Sequence, residues 1–257
     1  MNLILAIILL ILMLYIDKNR GLKLFLGLIF NFIILIILFY LMALGINPII
    51  CALIGCLLIS YVILYFVNGE NIKTKTAIKS VIVVILILSV LIFIMTNISR
   101  IAGFGEEAYE EINMFSYDVN IDFTNITIAL ILIGLIGVTV DAAIAISSAL
   151  YEVYTNNKNL SKRELFKSGM NIGKDILCTS MNTLLFAFLS EFMTLVIWYY
   201  ECNYSFIDII NSKTFASEII KIMFSAIGCI SVIPITAYIT SNTLIKNKKQ
   251  TEEIAWT

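Results

Sequence analysis

Apolar residues in this chain come in uninterrupted blocks, most of them long enough to cross a lipid bilayer, and that pattern admits few folds. Crossing the hydrocarbon layer takes about 20 residues of helix. The blocks fall at 3–16, 24–44, 49–67, 77–95, 123–151, 176–200 and 219–244. Hydrocarbon offers no partner for backbone N–H and C=O groups, so only helices or closed barrels span it, and no barrel-like alternation is visible. The expectation is an all-α polytopic bundle of seven transmembrane helices in a single domain over residues 1–257. The first block is the shortest. It has no basic region before it and no small-residue cleavage pattern after it, so it is read as a retained span rather than a signal peptide.

Charge orients the bundle. Only 14% of residues are charged and 60% are hydrophobic, against roughly 25% and 45–50% in soluble domains. Of the 17 basic residues, Lys18, Arg20 and Lys23 follow the first block, and Lys73, Lys75 and Lys79 follow the third. Lys158, Lys162, Arg163, Lys167 and Lys174 follow the fifth block, and Lys246, Lys248 and Lys249 follow the seventh. The remaining three, Arg100, Lys213 and Lys221, belong to the other side. The positive-inside rule then puts the N-terminus outside and the C-terminus in the cytoplasm. Residues 97–122 form an acidic outer connection carrying Glu106, Glu107, Glu110 and Glu111, with a short interfacial helix expected there. It reads either as a solvated acidic face or as a vestibule that collects cations. The basic cytoplasmic connection, 152–175, contains Ser161-Lys-Arg-Glu164 with capping-box spacing, which predicts a surface helix over 161–168.

The chain has no histidine, which removes the commonest general base and transition-metal ligand. Four of the five cysteines lie in apolar blocks and read as small buried hydrophobes. No phosphate loop, nucleophile elbow or zinc-protease motif occurs. No enzyme activity, cofactor, metal or nucleic-acid partner is expected.

An ionisable residue inside a span is a functional candidate by default. Asp141 lies near the middle of the fifth block. Gly134, Gly137, Ala145 and Ser148 share its helix face, and small residues at this spacing let helices approach closely. That pattern predicts a packed face with Asp141 directed into the bundle, where a carboxyl suits reversible proton or cation binding. Asp175, Thr179 and Asn182 share a face of the sixth block, with Thr183 beside them, and supply amide and hydroxyl partners for Asp141. The alternative for all of these residues is hydrogen bonding that only holds helices together. Glu191 is nearer the outer end of that block, and Pro234 is expected to kink the seventh.

The stretch Gly137-Val-Thr-Val-Asp-Ala-Ala-Ile-Ala-Ile-Ser-Ser-Ala-Leu-Tyr-Glu152 resembles a signature of the YibE/F family of bacterial membrane proteins. So do Leu165-Phe-Lys-Ser-Gly-Met-Asn-Ile-Gly-Lys-Asp175 and Thr179-Ser-Met-Asn-Thr-Leu-Leu185, with Gly21-Leu-Lys23, Gly45-Ile-Asn-Pro48 and Pro234-Ile-Thr-Ala237. Cys178 and Glu191 depart from the family pattern. E-type members carry an extra domain outside the membrane after the first span. This chain looks like the F-type, which implies an E-type partner or a homo-oligomer within the lipid bilayer. Residues 135–144 are also similar, more distantly, to the Gly-x-x-x-Asp helix of resistance–nodulation–division transporters and SecD/SecF. In those proteins the helix carries a relay aspartate, and spans two to seven here would match a six-helix transporter half. The functional expectation is a subunit of a proton- or ion-coupled transport system. An assembly or scaffold subunit is the alternative, and a membrane-embedded enzyme a more remote one.

Overall fold

The computed structural model describes residues 2–103 and 122–254, and every regular element among them is helical. In order these are α1 (Asn2–Ile16), α2 (Lys18–Ala43), α3 (Pro48–Tyr61) with a wider π-helical turn at Val62–Val67, and α4 (Ile72–Ser99). Then come α5 (Phe123–Asn156), α6 (Lys162–Glu201), α7 (Phe206–Asn211) and α8 (Lys213–Ile254). Short polar side chains set the starts of these helices by accepting from otherwise unpaired N–H groups. Asn47 Oδ1 accepts from Ile49 N at 2.9 Å ahead of α3, and Asp122 Oδ1 from Thr124 N at 3.0 Å ahead of α5. The capping box at Ser161 forms as expected, with Ser161 N donating to Glu164 Oε2 at 2.8 Å.

Six helices are long and apolar enough to cross a membrane, from α2 to α6 and α8, with the π turn extending α3. The all-α polytopic bundle is therefore present, and the first of the seven expected spans differs from the rest. α1 has 15 residues, about 22 Å at 1.5 Å per residue, short of a hydrocarbon core of about 30 Å. It folds back onto α2 at Asp17, whose carboxylate accepts from Arg20 N at 3.1 Å. Gly21 makes that approach possible, since a Cβ there would lie 2.1 Å from Met13 O. The surface helix expected over 161–168 and the span over 176–200 are one continuous helix of 40 residues. At about 60 Å it is twice the hydrocarbon thickness.

α5 is the hub, packed against α3, α4, α6 and α8. Ile128, Leu132, Leu135 and Val140 of α5 are buried against Val84, Leu88 and Ile92 of α4, Cys56 of α3 and Cys229 of α8. α6 meets α8 through Gly169 and Gly173. A Cβ at Gly169 would lie 2.9 Å from Ala237 Cβ, and one at Gly173 2.2 Å from Ile233 Cγ2. Large apolar side chains such as Phe32, Ile36, Leu86 and Val90 are exposed along α2 and α4. A continuous apolar exterior of this kind suits hydrocarbon rather than water.

The basic connections gather at one end of the bundle. Arg20 Nη2 donates to Asn68 Oδ1 at 3.0 Å, and Lys73 Nζ lies 3.6 Å from Glu152 Oε1. Lys162 Nζ sits 4.4 Å over the Tyr238 ring. At the opposite end, Tyr199 Oη and Ser212 Oγ share a buried hydrogen bond of 2.7 Å.

Candidate functional site

The face of α5 that carries Asp141 is open. Asp141, Gly134, Gly137 and Ala145 are exposed and Ser148 is half-buried, while Val140, Ala142 and Ala143 on the other sides are buried. A Cβ at Gly134 or Gly137 would meet no atom within 4 Å. The close packing expected of Gly134, Gly137, Ala145 and Ser148 thus does not occur among the described residues, and Asp141 is left exposed on that face. The reason is the order of the neighbours: α3, α4 and α8 cover the Leu132, Leu135 and Val140 sides of α5 and leave the small-residue stripe bare. Among the described residues no hydrogen bond or ion pair reaches Asp141.

Two cavities border this face. One of about 600 Å³ lies between α5, α6 and α8 towards the acidic end, with Leu130 and Gly134 in its wall. The other, of about 450 Å³, lies at the basic end, with Ile144 and Ser148 in its wall. At 100° per residue, positions 130, 134, 137, 141, 144 and 148 fall within an arc of about 80°. Asp141 is seven residues, about 10 Å of helix, from Gly134 and the same from Ser148. The carboxylate therefore stands midway between the two cavities on the face they share.

The partners expected on α6 do not close around it. Asp175, Thr179, Asn182 and Thr183 are all exposed. Thr179 Oγ1 donates to Ile176 O at 2.9 Å and Thr183 Oγ1 to Thr179 O at 3.1 Å, both within their own helix. Hydroxyls on a helix commonly satisfy themselves this way. The side chain of Glu191, and Glu106, Glu107, Glu110 and Glu111, lie outside the described residues. Cys51, Cys56 and Cys229 are buried as expected, whereas Cys178 in the sixth block is exposed on α6. Among the described residues no group of three or more metal-ligating side chains comes together.

The sequence reading missed an ion pair in the cavity nearer the acidic end. Lys221 and Glu218 of α8 pair one helical turn apart, with 32% and 19% of their side-chain surfaces exposed. Both line the cavity, with Thr194 and Ser225. The i, i+3 spacing was legible, but both residues fall at the boundary assigned to the seventh block, where charges read as connection. This lysine lies on the wall that Gly134 shares, so a cation does border Asp141's face, already paired with its own carboxylate.

A family model described as YibE/F-like protein matches residues 5–246. No curated protein and no solved structure matches the chain.

Proposed function

The chain belongs to the YibE/F-like protein family, and we propose that it is a subunit of a proton- or cation-coupled transport system in the bacterial cytoplasmic membrane, with Asp141 carrying the coupling ion. The supporting observation is the position of Asp141, without a partner among the described residues, on the open face of α5 between two cavities lined by that face. A carboxylate turned towards hydrocarbon costs about 2.5–3.5 kcal/mol on insertion scales. Such a face is stable where water or a partner covers it, and a wetted carboxylate between two cavities is what an ion relay needs. The basic end faces the cytoplasm by the positive-inside rule. The covering partner is an E-type protein or a second copy. The distant likeness to the relay helix of resistance–nodulation–division transporters points the same way, as analogy. The reading assigns the chain no chemical reaction.

The test is proton flux in proteoliposomes holding the chain with a co-expressed E-type protein, followed by an internal pH dye under an imposed gradient. Asp141→Asn is expected to abolish flux and Asp141→Glu to retain part of it. Undiminished flux through Asp141→Asn refutes the relay. The bare stripe of Gly134, Gly137 and Ala145 also favours a second reading, an assembly subunit whose partner helix seats on this face. In that case Gly137→Leu releases the partner while Asp141→Asn leaves flux unchanged.

A further inference from the structure

We infer that the cavity at the basic end is a binding site for a phosphate group, that of an anionic phospholipid. Three cations from two parts of the chain line it: Arg20 and Lys23 from the start of α2, and Lys73 from α4. Lys73 is already engaged, 3.6 Å from Glu152 and 4.9 Å from the Tyr151 ring. No ion pair reaches Arg20 or Lys23 among the described residues. Asp17 is the single acid in the wall among the described residues, and its carboxylate accepts from the N-terminus of α2. The cavity is therefore left with surplus positive charge and a set of unused donors, a combination that suits an oxyanion.

The wall is built in advance. Asn68 Nδ2 donates to Ile63 O in the π turn at 2.8 Å, which holds the Asn68 oxygen where Arg20 Nη2 reaches it. That bond uses one of the five guanidinium N–H groups, and the fork remains available for two phosphate oxygens. Asn71 Nδ2 donates to Asn68 O at 3.3 Å, and Asn71 Oδ1 accepts from Thr74 N at 3.0 Å as the cap of α4. Thr74 is fully buried and its hydroxyl donates to Gly69 O at 3.0 Å. The 68–71 connection is thus fixed, and the positive end of the 28-residue α4 helix opens on the same cavity.

A lipid rather than a free ion fits the surroundings. Leu24 and Leu28 follow Arg20 at one-turn intervals on α2 and are 40% and 50% exposed. They offer an acyl chain a track leading away from the cations into the apolar region. A zwitterionic lipid would bring its own cation into a cluster that already has an excess, so an anionic headgroup is selected. Basic pockets between membrane helices commonly hold such headgroups. The site does not depend on Asp141.

The full-length chain in nanodiscs, with bound lipid counted by native mass spectrometry during exchange, reads the preference directly. Phosphatidylglycerol is expected to outcompete phosphatidylcholine, and Arg20→Gln with Lys23→Gln to cut that preference roughly 30-fold, from about fivefold per cation. Lys23→Gln alone, at a side chain with no hydrogen bond among the described residues, is expected to cost about fivefold. Arg20→Lys with Lys23→Arg is expected to restore most of it, and Asp141→Asn to leave it intact. Equal retention of the two lipids by the wild type overturns the proposal, as does a preference that survives the double substitution. Displacement of phosphatidylglycerol by millimolar inorganic phosphate would assign the site to a soluble phosphate and overturn the lipid.

Discussion

Gly173→Ala separates the helix contact that forms in the chain from the one the small-residue stripe of α5 suggested. The new Cβ would sit 2.2 Å from Ile233 Cγ2, where carbon atoms rest about 3.5–4.0 Å apart. Ile233 is 4% exposed, and a β-branched side chain in a helix holds one strongly preferred χ1 rotamer, so it cannot swing aside. Relief comes from moving α6 off α8, which also opens the Gly169 contact with Ala237 and Leu150. Overpacking of this kind costs about 1–3 kcal/mol. The gain in helix propensity from glycine to alanine returns about 0.5–1 kcal/mol. A net loss of about 1–2 kcal/mol is expected. Gly134→Ala is the control: nothing lies within 4 Å of its Cβ, so the propensity gain stands alone and the sign reverses. Reversible unfolding of both purified variants in bicelles measures the difference. Ile233→Ala in the Gly173→Ala background should cost less than in wild type, with a coupling of about 0.5–3 kcal/mol. If Gly173→Ala is as stable as wild type, or Gly134→Ala loses more, α6 does not cross α8 at Gly173.

Tyr199→Phe removes the 2.7 Å hydrogen bond to Ser212 and should destabilise the chain by about 0.5–1.5 kcal/mol in the same assay; an unchanged midpoint would show that the bond contributes nothing. A pH effect is expected at α7, between the last two long helices. The Ser205 hydroxyl, and then its backbone N–H, hydrogen-bond Asp208 and hold its carboxyl below the ordinary carboxylate range. Because the folded helix favours the ionised form, its contribution is complete above the ordinary range and is lost as pH falls through the lowered value. Amide protection across Phe206–Asn211, measured as exchange relative to the intrinsic rate at each pH, should therefore fall on acidification in wild type but show no such step in Asp208→Asn; matching profiles would remove the role assigned to Asp208.

Much of the bundle was legible because block length and end chemistry are local. Long apolar runs define helices whatever surrounds them, and Ser161, Asp122 and Asn47 mark starts through bonds to residues two or three positions on. What a helix face touches is not local. Gly134, Gly137 and Asp141 share one side of α5 by helical spacing, but spacing is the same for a packed stripe and a bare one. The stripe that does pack, Gly169 and Gly173, lies between Lys167 and Lys174, and that charge made the stretch read as surface. Lys221 was hidden for a related reason. Hydropathy ends a span where charges begin, whereas α8 starts at Lys213 and carries the Glu218 pair within its helix. α1 differs in degree: its apolar run was read as a span, and its 15 residues make it the shortest of the helices so read.

The π turn at Val62–Val67 makes the number of residues, rather than their identity, a structural determinant. A π turn arises when one residue more than an α-helix can hold is accommodated in the coil. Everything after it is offset by that residue, and the offset delivers Asn68 to both Ile63 O and Arg20. Conservative replacements at 62–67 keep the offset. Deleting any one of these residues lets the coil tighten, turns Asn68 about 100° around the axis and takes the amide away from the guanidinium. The geometry of the basic cavity is thus encoded partly as a count.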